Sequence, residues 1–92
     1  MGTFHHDKGD LHGITVVVDT GPKVYIGRCH EMDDQRIVLM DVDEHADGED
    51  GRSKEEYVKR AAEVGVWRKH AALAIPRADV VSVVRLGDIA VG

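Results

Sequence analysis

With 92 residues, of which 42% are hydrophobic and 32% charged, the chain has the length of one small domain and an ordinary globular composition, which excludes a disordered or membrane-embedded protein. Its formal net charge of −5 arises within residues 42–57, so the rest of the chain is neutral and an anionic partner is not excluded. No apolar run approaches the roughly 18 residues that cross a bilayer, residues 1–12 lack a secretory signal, and the single Cys29 excludes an intrachain disulfide, which together predict a cytoplasmic protein.

Three short strands are predicted before residue 41, over residues 13–19, 23–30 and 37–40. The first is rich in β-branched residues and places Ile14, Val16 and Val18 on one face. In the second, Gly27 is unfavourable unless the strand bends sharply or another backbone comes close. A strand that bends in this way is typical of small barrels.

An acidic insertion is predicted over residues 41–65. Its first part, residues 41–52, has no hydrophobic periodicity and predicts a loop. Ser53 followed three residues later by Glu56 matches a capping box, and the apolar spacing up to Gly65 predicts a helix of about three turns. Two further strands are then predicted, over residues 66–75 and 80–86.

Two segments carry motifs that can be compared with a known family. Residues 13–41 contain Tyr25, Gly27 and Asp33, and residues 66–76 contain Lys69-His70-Ala71 before a proline. Together they resemble the two motifs of the Sm-like family, which includes bacterial Hfq and the LSm proteins. The resemblance implies a mostly-β fold for residues 1–92: a five-stranded, strongly bent, SH3-like open barrel with one α-helix inserted between strands three and four. Another five-stranded barrel, SH3-like or OB-like, is the alternative.

The resemblance also implies an assembly and a ligand. Strand four of one subunit would pair with strand five of the next to give a homo-oligomeric ring, and single-stranded RNA, with U-rich RNA as one candidate, would bind at the pore rim. The residues expected to bind it are Lys69, His70, Arg36, Gln35 and Arg68. Gln35 and Arg36 stand where family members have an asparagine or an aromatic residue, and Arg68 also replaces an aromatic. The loss of base stacking removes about 1–3 kcal/mol per base.

A protein-interaction or scaffold module that uses the helix and the acidic loop is the competing hypothesis, and the acidic net charge favours it. Catalysis is not predicted, because Cys29 has no recognisable orienting group and Ser53 is explained as a helix cap. No metal or other cofactor is predicted either, since the adjacent His5 and His6 lie in a polar tail. Trp67 is expected to pack against the core and hold the helix to the sheet.

Overall fold

The computed structural model describes residues 11–89, so most of the predicted tail over residues 1–12, including His5 and His6, lies outside the described part. The strands are β1 (Thr15–Asp19), β2 (Lys23–Met32), β3 (Arg36–Ala46), β4 (His70–Pro76) and β5 (Ser82–Arg85), and the helix α1 spans Lys54–Val64. Short 3-10 turns cover Glu49–Gly51, Arg77–Asp79 and Leu86–Asp88. Within residues 11–89, no helix has the length and apolar character that crossing a membrane requires.

The five strands form one antiparallel sheet in the order β4-β3-β2-β1-β5. The prediction of a mostly-β fold with five strands and a helix inserted between the third and fourth is therefore confirmed. β4 and β5 are the outer strands, and no pairing between them is present within residues 11–89. Each of these strands thus has one free edge, and the sheet is not closed on itself.

Both faces of the sheet bury apolar side chains. The first cluster lies on one face and consists of Val16, Val18, Cys29, Met32, Ile37, Leu39, Val42 and Ile75, with Ile14 packed against it. The second cluster lies beneath α1 and consists of Val17, Val24, Ile26, Val58 and Ala61. The alternation predicted for β1 is confirmed, because its odd and even residues enter different clusters.

Gly27 lies where β2 and β3 come closest. A Cβ atom at this position would stand 3.1 Å from the Met40 carbonyl oxygen and 3.2 Å from Leu39 Cβ. The pairing slips here, and β3 carries an extra residue, so that Asp41 adopts a positive φ of 54°. The predicted close approach of another backbone at Gly27 is confirmed, and β3 carries a bulge opposite it.

β3 is longer than its apolar pattern predicted. The segment 42–46, expected to be loop, continues the strand to Ala46: Asp43 to Ala46 pair with the first half of β2, and Val42 pairs with His70 of β4. The loop prediction was wrong there because Asp43 and His45 are buried, at 1% and 2% exposure, and a polar residue in the core gives no strand signal. β4 begins only at His70, so the strand predicted from residue 66 was also placed too early.

The helix α1 begins as predicted. Ser53 Oγ accepts the Glu56 N–H at 3.1 Å while the Glu56 carboxylate accepts the Ser53 N–H at 3.0 Å, which completes the capping box. Lys54 ties this end of the helix to β1, since its Nζ lies 2.9 Å from Asp19 Oδ1. The packing expected for Trp67 is wrong: the side chain follows the helix and is 77% exposed. Val58 and Ala61 fill the space beneath the helix instead.

Candidate nucleic-acid interface

The turn before β3 is held by the Asp33 side chain. Its Oδ1 accepts the N–H of Gln35 at 2.8 Å and that of Arg36 at 2.9 Å, while the Asp33 N–H bonds to the Arg36 carbonyl oxygen at 3.0 Å. Asp33 therefore has a structural role, because its side chain fixes the turn. Because the carboxylate fixes the backbone, Gln35 and Arg36 are exposed at a defined corner of the sheet.

A second arginine joins this corner from the end of β4. The Arg77 N–H donates to the Gln35 carbonyl oxygen at 2.9 Å, and Arg36 pairs with Pro76 in the β3–β4 ladder. Neither the Arg36 nor the Arg77 guanidinium makes an ion pair with any residue in the range 11–89. We call Gln35, Arg36 and Arg77 the β3–β4 rim.

The other three predicted residues lie at the opposite end of the same ladder. His70 pairs with Val42, six residues along β3 from Arg36, which corresponds to about 20 Å at 3.3 Å per residue. Within one subunit, the residues expected to bind RNA at one rim therefore lie at the two ends of the β3–β4 ladder. The reason is that β3 and β4 are antiparallel. The Lys69-His70-Ala71 motif lies at the start of β4, but Gln35 and Arg36 at the start of β3 lie beside the end of β4.

Each of these three residues is paired with a carboxylate of β3. Arg68 Nη1 lies 3.1 Å from Asp41 Oδ1, and Lys69 Nζ lies 3.5 Å from Asp43 Oδ1. His70 Nε2 lies 2.6 Å from Glu44 Oε1, and Lys69 Nζ also donates to the Glu44 carbonyl oxygen at 2.8 Å. The charges of this carboxylate-paired cluster are thus largely compensated within the chain.

The carboxylates respond to these partners. Hydrogen bonds from Lys23 and then from His70 lower the pKa of the Glu44 carboxyl below its ordinary value of 4.5. The Asp41 carboxyl also has a lowered pKa, because it accepts a hydrogen bond from Arg68 and lies near Arg28. Both groups therefore remain anionic near neutral pH and hold their basic partners.

Beneath this cluster, a buried polar contact joins α1 to β3. The Tyr57 hydroxyl donates to Asp43 Oδ2 at 2.5 Å, and its ring stacks on His45 with centroids 4.1 Å apart. Burial, together with the hydrogen bond to Asp43, raises the pKa of the Tyr57 phenol, so it stays protonated and donating. His45 Nε2 in turn lies 3.0 Å from the Arg52 carbonyl oxygen. These contacts fix the helix and leave no unsatisfied buried side-chain polar atom within residues 11–89.

Cys29 is poorly suited to nucleophilic chemistry. Its side chain is 1% exposed in the apolar cluster that contains Val16 and Leu39, and burial raises the pKa of the thiol. The neighbouring His30 is exposed, at a bulge where the pairing of β2 with β3 shifts by one residue. The thiol and this imidazole therefore do not form a pair.

Sequence reasoning missed Arg77. Its position could have been inferred from strand pairing. When two successive strands pair in antiparallel orientation, the residue that follows the second strand lies beside the residue that precedes the first. The residues at those positions are Arg77 and Gln35, and their backbone groups are hydrogen-bonded. The motif that directed attention to Lys69 and His70 lies at the other end of β4.

The chain was also compared with known proteins. No protein-family model matches the sequence, and the curated proteins contain no significant match. The Sm-like resemblance therefore stands on the residues quoted above, and the function must be argued from the geometry of the described residues.

Proposed function

We propose that this chain is a non-catalytic, Sm-like subunit of a homo-oligomeric ring, and that it binds single-stranded RNA at the β3–β4 rim. The observation that supports this most is the backbone pairing that brings Arg36 and Arg77 to the same corner of the sheet, where neither guanidinium has an ion-pair partner within residues 11–89. A guanidinium binds phosphate through paired hydrogen bonds and stacks on a base through its planar face. The exposed Gln35 can donate to and accept from a base edge.

The ring follows from the free edges of the sheet. Within residues 11–89, β4 and β5 each have one edge that pairs with no other strand, and such edges associate unless they are covered. Pairing β4 of one subunit with β5 of the next covers both edges and, repeated with a fixed rotation, gives a closed ring. The exposed Val81, just before β5, supports this, since apolar surface at a free edge favours a partner. Each subunit would then present one copy of the rim, and weak contacts would add through multivalency.

The test compares two double variants that remove two basic groups each. Arg36→Gln with Arg77→Gln should weaken binding of fluorescent oligo-uridine RNA at least tenfold and reduce its salt dependence, because each phosphate contact contributes about 0.7 to the slope of log K against log salt. Lys69→Gln with His70→Gln should change binding much less, since carboxylates already pair with both residues. Equal losses in the two variants, or no RNA binding by the unmodified chain, would contradict the rim.

A protein-interaction module without nucleic-acid binding is the second candidate. The observation in its favour is the carboxylate-paired cluster: Arg68, Lys69 and His70 are the bases that the motif comparison singled out, and all three face carboxylates. In that case the chain still assembles through β4 and β5, but oligo-uridine RNA does not bind at either salt concentration. Light scattering on the same samples distinguishes a ring without RNA affinity from a monomer.

A further inference from the structure

Trp67 is the only tryptophan of the chain and the largest exposed apolar side chain within residues 11–89. It lies between α1 and β4, is 77% exposed, and follows Val64, which is 70% exposed at the end of the helix. Single exposed apolar residues are common and need no function. An indole with most of its surface in water is a typical interface anchor, however, because it combines a large apolar area with a polar N–H group.

Two arginines lie beside Trp67. Together with Arg52 and Arg60 it lines a shallow depression of about 50 Å³ beside α1. Neither arginine makes an ion pair within the described residues. The one carboxylate lining the depression belongs to Asp43, which already accepts the Tyr57 hydroxyl at 2.5 Å and lies 3.5 Å from Lys69 Nζ. The two guanidinium groups are therefore available to an anion from outside the chain.

The shape of the depression separates the two classes of anionic partner. The depression is shallow, with a volume of about 50 Å³, and it leaves the indole exposed rather than enclosed. Protein interfaces concentrate their binding energy in well-packed pockets that accept such anchors. Stacking of a planar base needs no pocket, only an accessible aromatic face and a cation near the phosphate. The observations thus favour nucleic acid over an acidic peptide.

We propose that Trp67, Arg52 and Arg60 form a second contact surface for single-stranded nucleic acid, with a base stacked on the indole and phosphates bound by the two arginines. This inference rests on the proposed RNA-binding function, to which it adds a surface on the inserted helix. Trp67 lies three residues before His70, at the end of the β3–β4 ladder remote from the rim. Because every base has a π-face, this surface tolerates all sequences.

The single tryptophan makes the test direct, since all indole fluorescence reports on this surface. Titration of the full chain with oligo-uridine and oligo-adenine RNA should quench the emission with both. Trp67→Ala should weaken RNA binding about 5- to 150-fold, the range that corresponds to loss of one stacked base. Trp67→Phe keeps an aromatic face and should retain most of the affinity. Circular dichroism checks that each variant is folded.

The arginines are tested by salt dependence. Arg52→Gln with Arg60→Gln should lower the magnitude of the salt slope by about 1.4, the value for two single-strand phosphate contacts. Lys59→Gln is the matched control, because Lys59 is exposed on the same helix but lines a separate groove with Val17 and Val24. It should leave both the slope and the fluorescence quenching unchanged.

The outcomes separate this surface from the rim. Quenching that persists in the Arg36→Gln/Arg77→Gln variant supports the second surface even if the rim fails. RNA binding without any change in indole emission, and with unchanged affinity in Trp67→Ala, overturns the second surface and leaves the rim intact. Emission that depends on protein concentration without RNA shows that a second copy of the chain covers Trp67, and also overturns it. No RNA binding at all removes both proposals.

Discussion

The backbone N–H of Arg77 lies 2.9 Å from the carbonyl oxygen of Gln35, and this hydrogen bond closes the β3–β4 ladder. The backbone and the side chain of Arg77 have different roles, which mutations can separate. The Arg77 backbone holds the turn after β4 against β3, whereas the Arg77 side chain supplies charge at the rim.

Arg77→Ala and Arg77→Pro should therefore differ in stability but not in RNA affinity. Both remove the guanidinium, but only proline removes the N–H, and the first position of a 3-10 turn otherwise tolerates proline. We expect Arg77→Pro to lower the free energy of unfolding by about 1 kcal/mol relative to Arg77→Ala. Urea unfolding at constant protein concentration measures the difference. Equal stabilities would mean that the Gln35 contact does not support the ladder.

The free edge of β4 should be needed for assembly. Bonded residues alternate along an antiparallel ladder, and because Arg77 bonds to Gln35, the N–H of Ala74 points away from β3. Ala74→Pro removes that outward donor, and edge strands tolerate proline. We expect the mass measured by light scattering to fall from about five to seven subunits, the size implied by a closed Sm-like ring, to one. Ala74→Ser keeps the N–H and should still assemble. A ring in the proline variant would contradict pairing through β4.

Gly27→Ala should destabilise the fold, although the φ of Gly27 is not in the left-handed region. The added methyl group would lie 3.1 Å from the Met40 carbonyl oxygen and 3.2 Å from Val42 Cγ2, where neither the backbone nor the buried side chain can move freely. Overpacking of this kind costs about 1–3 kcal/mol. Gly87→Ala is the control, since no atom lies within 4 Å of its added Cβ, and it should change stability by less than about 0.5 kcal/mol. Urea midpoints at an unchanged m-value give both numbers.

Tyr57→Phe should loosen α1 from β3. The variant removes the hydrogen bond to the buried Asp43 carboxylate, and leaving such a group short of a donor costs about 1–3 kcal/mol. Tyr25→Phe is the matched control, because the Tyr25 hydroxyl makes no hydrogen bond to any residue in the range 11–89. Denaturant unfolding should show a loss for Tyr57→Phe alone. Similar losses in both variants would contradict a specific contribution of the hydrogen bond to Asp43.

The Glu44 contacts should make stability depend on acidic pH. Because the pKa of Glu44 is lower in the folded protein than its ordinary value of 4.5, its contribution is fully present above pH 4.5 and is lost as the pH falls through the folded value. Glu44→Gln removes this ionisation, so its stability should fall less steeply below pH 4.5 than that of the unmodified chain. Thermal unfolding measured from pH 7 downward tests this. Parallel curves for the two proteins would show that Glu44 does not stabilise the fold through Lys23 and His70.

Local physical chemistry determined much of this protein in advance. The alternation of Val16, Val17 and Val18 assigned their side chains to two faces, because successive strand residues must point in opposite directions. Ser53 and Glu56 marked the start of α1 because their side chains satisfy backbone N–H groups three residues away. Both signals depend only on neighbours in sequence, so no knowledge of the rest of the fold is required.

Only the tertiary structure decided where β3 ends and which basic groups are free. Asp43 to Ala46 are a strand because β2 pairs with them, and Asp43 is buried there because Tyr57, fourteen residues later, supplies its hydrogen bond. The motifs predicted Lys69 as a ligand-binding residue, but its ammonium group pairs with Asp43. Arg77 lies outside both motifs, and its backbone N–H bonds to Gln35 at the β3–β4 rim. These pairings join residues that are distant along the chain. Their free energies depend on neighbours across the sheet, and a local sequence pattern carries no information about those neighbours.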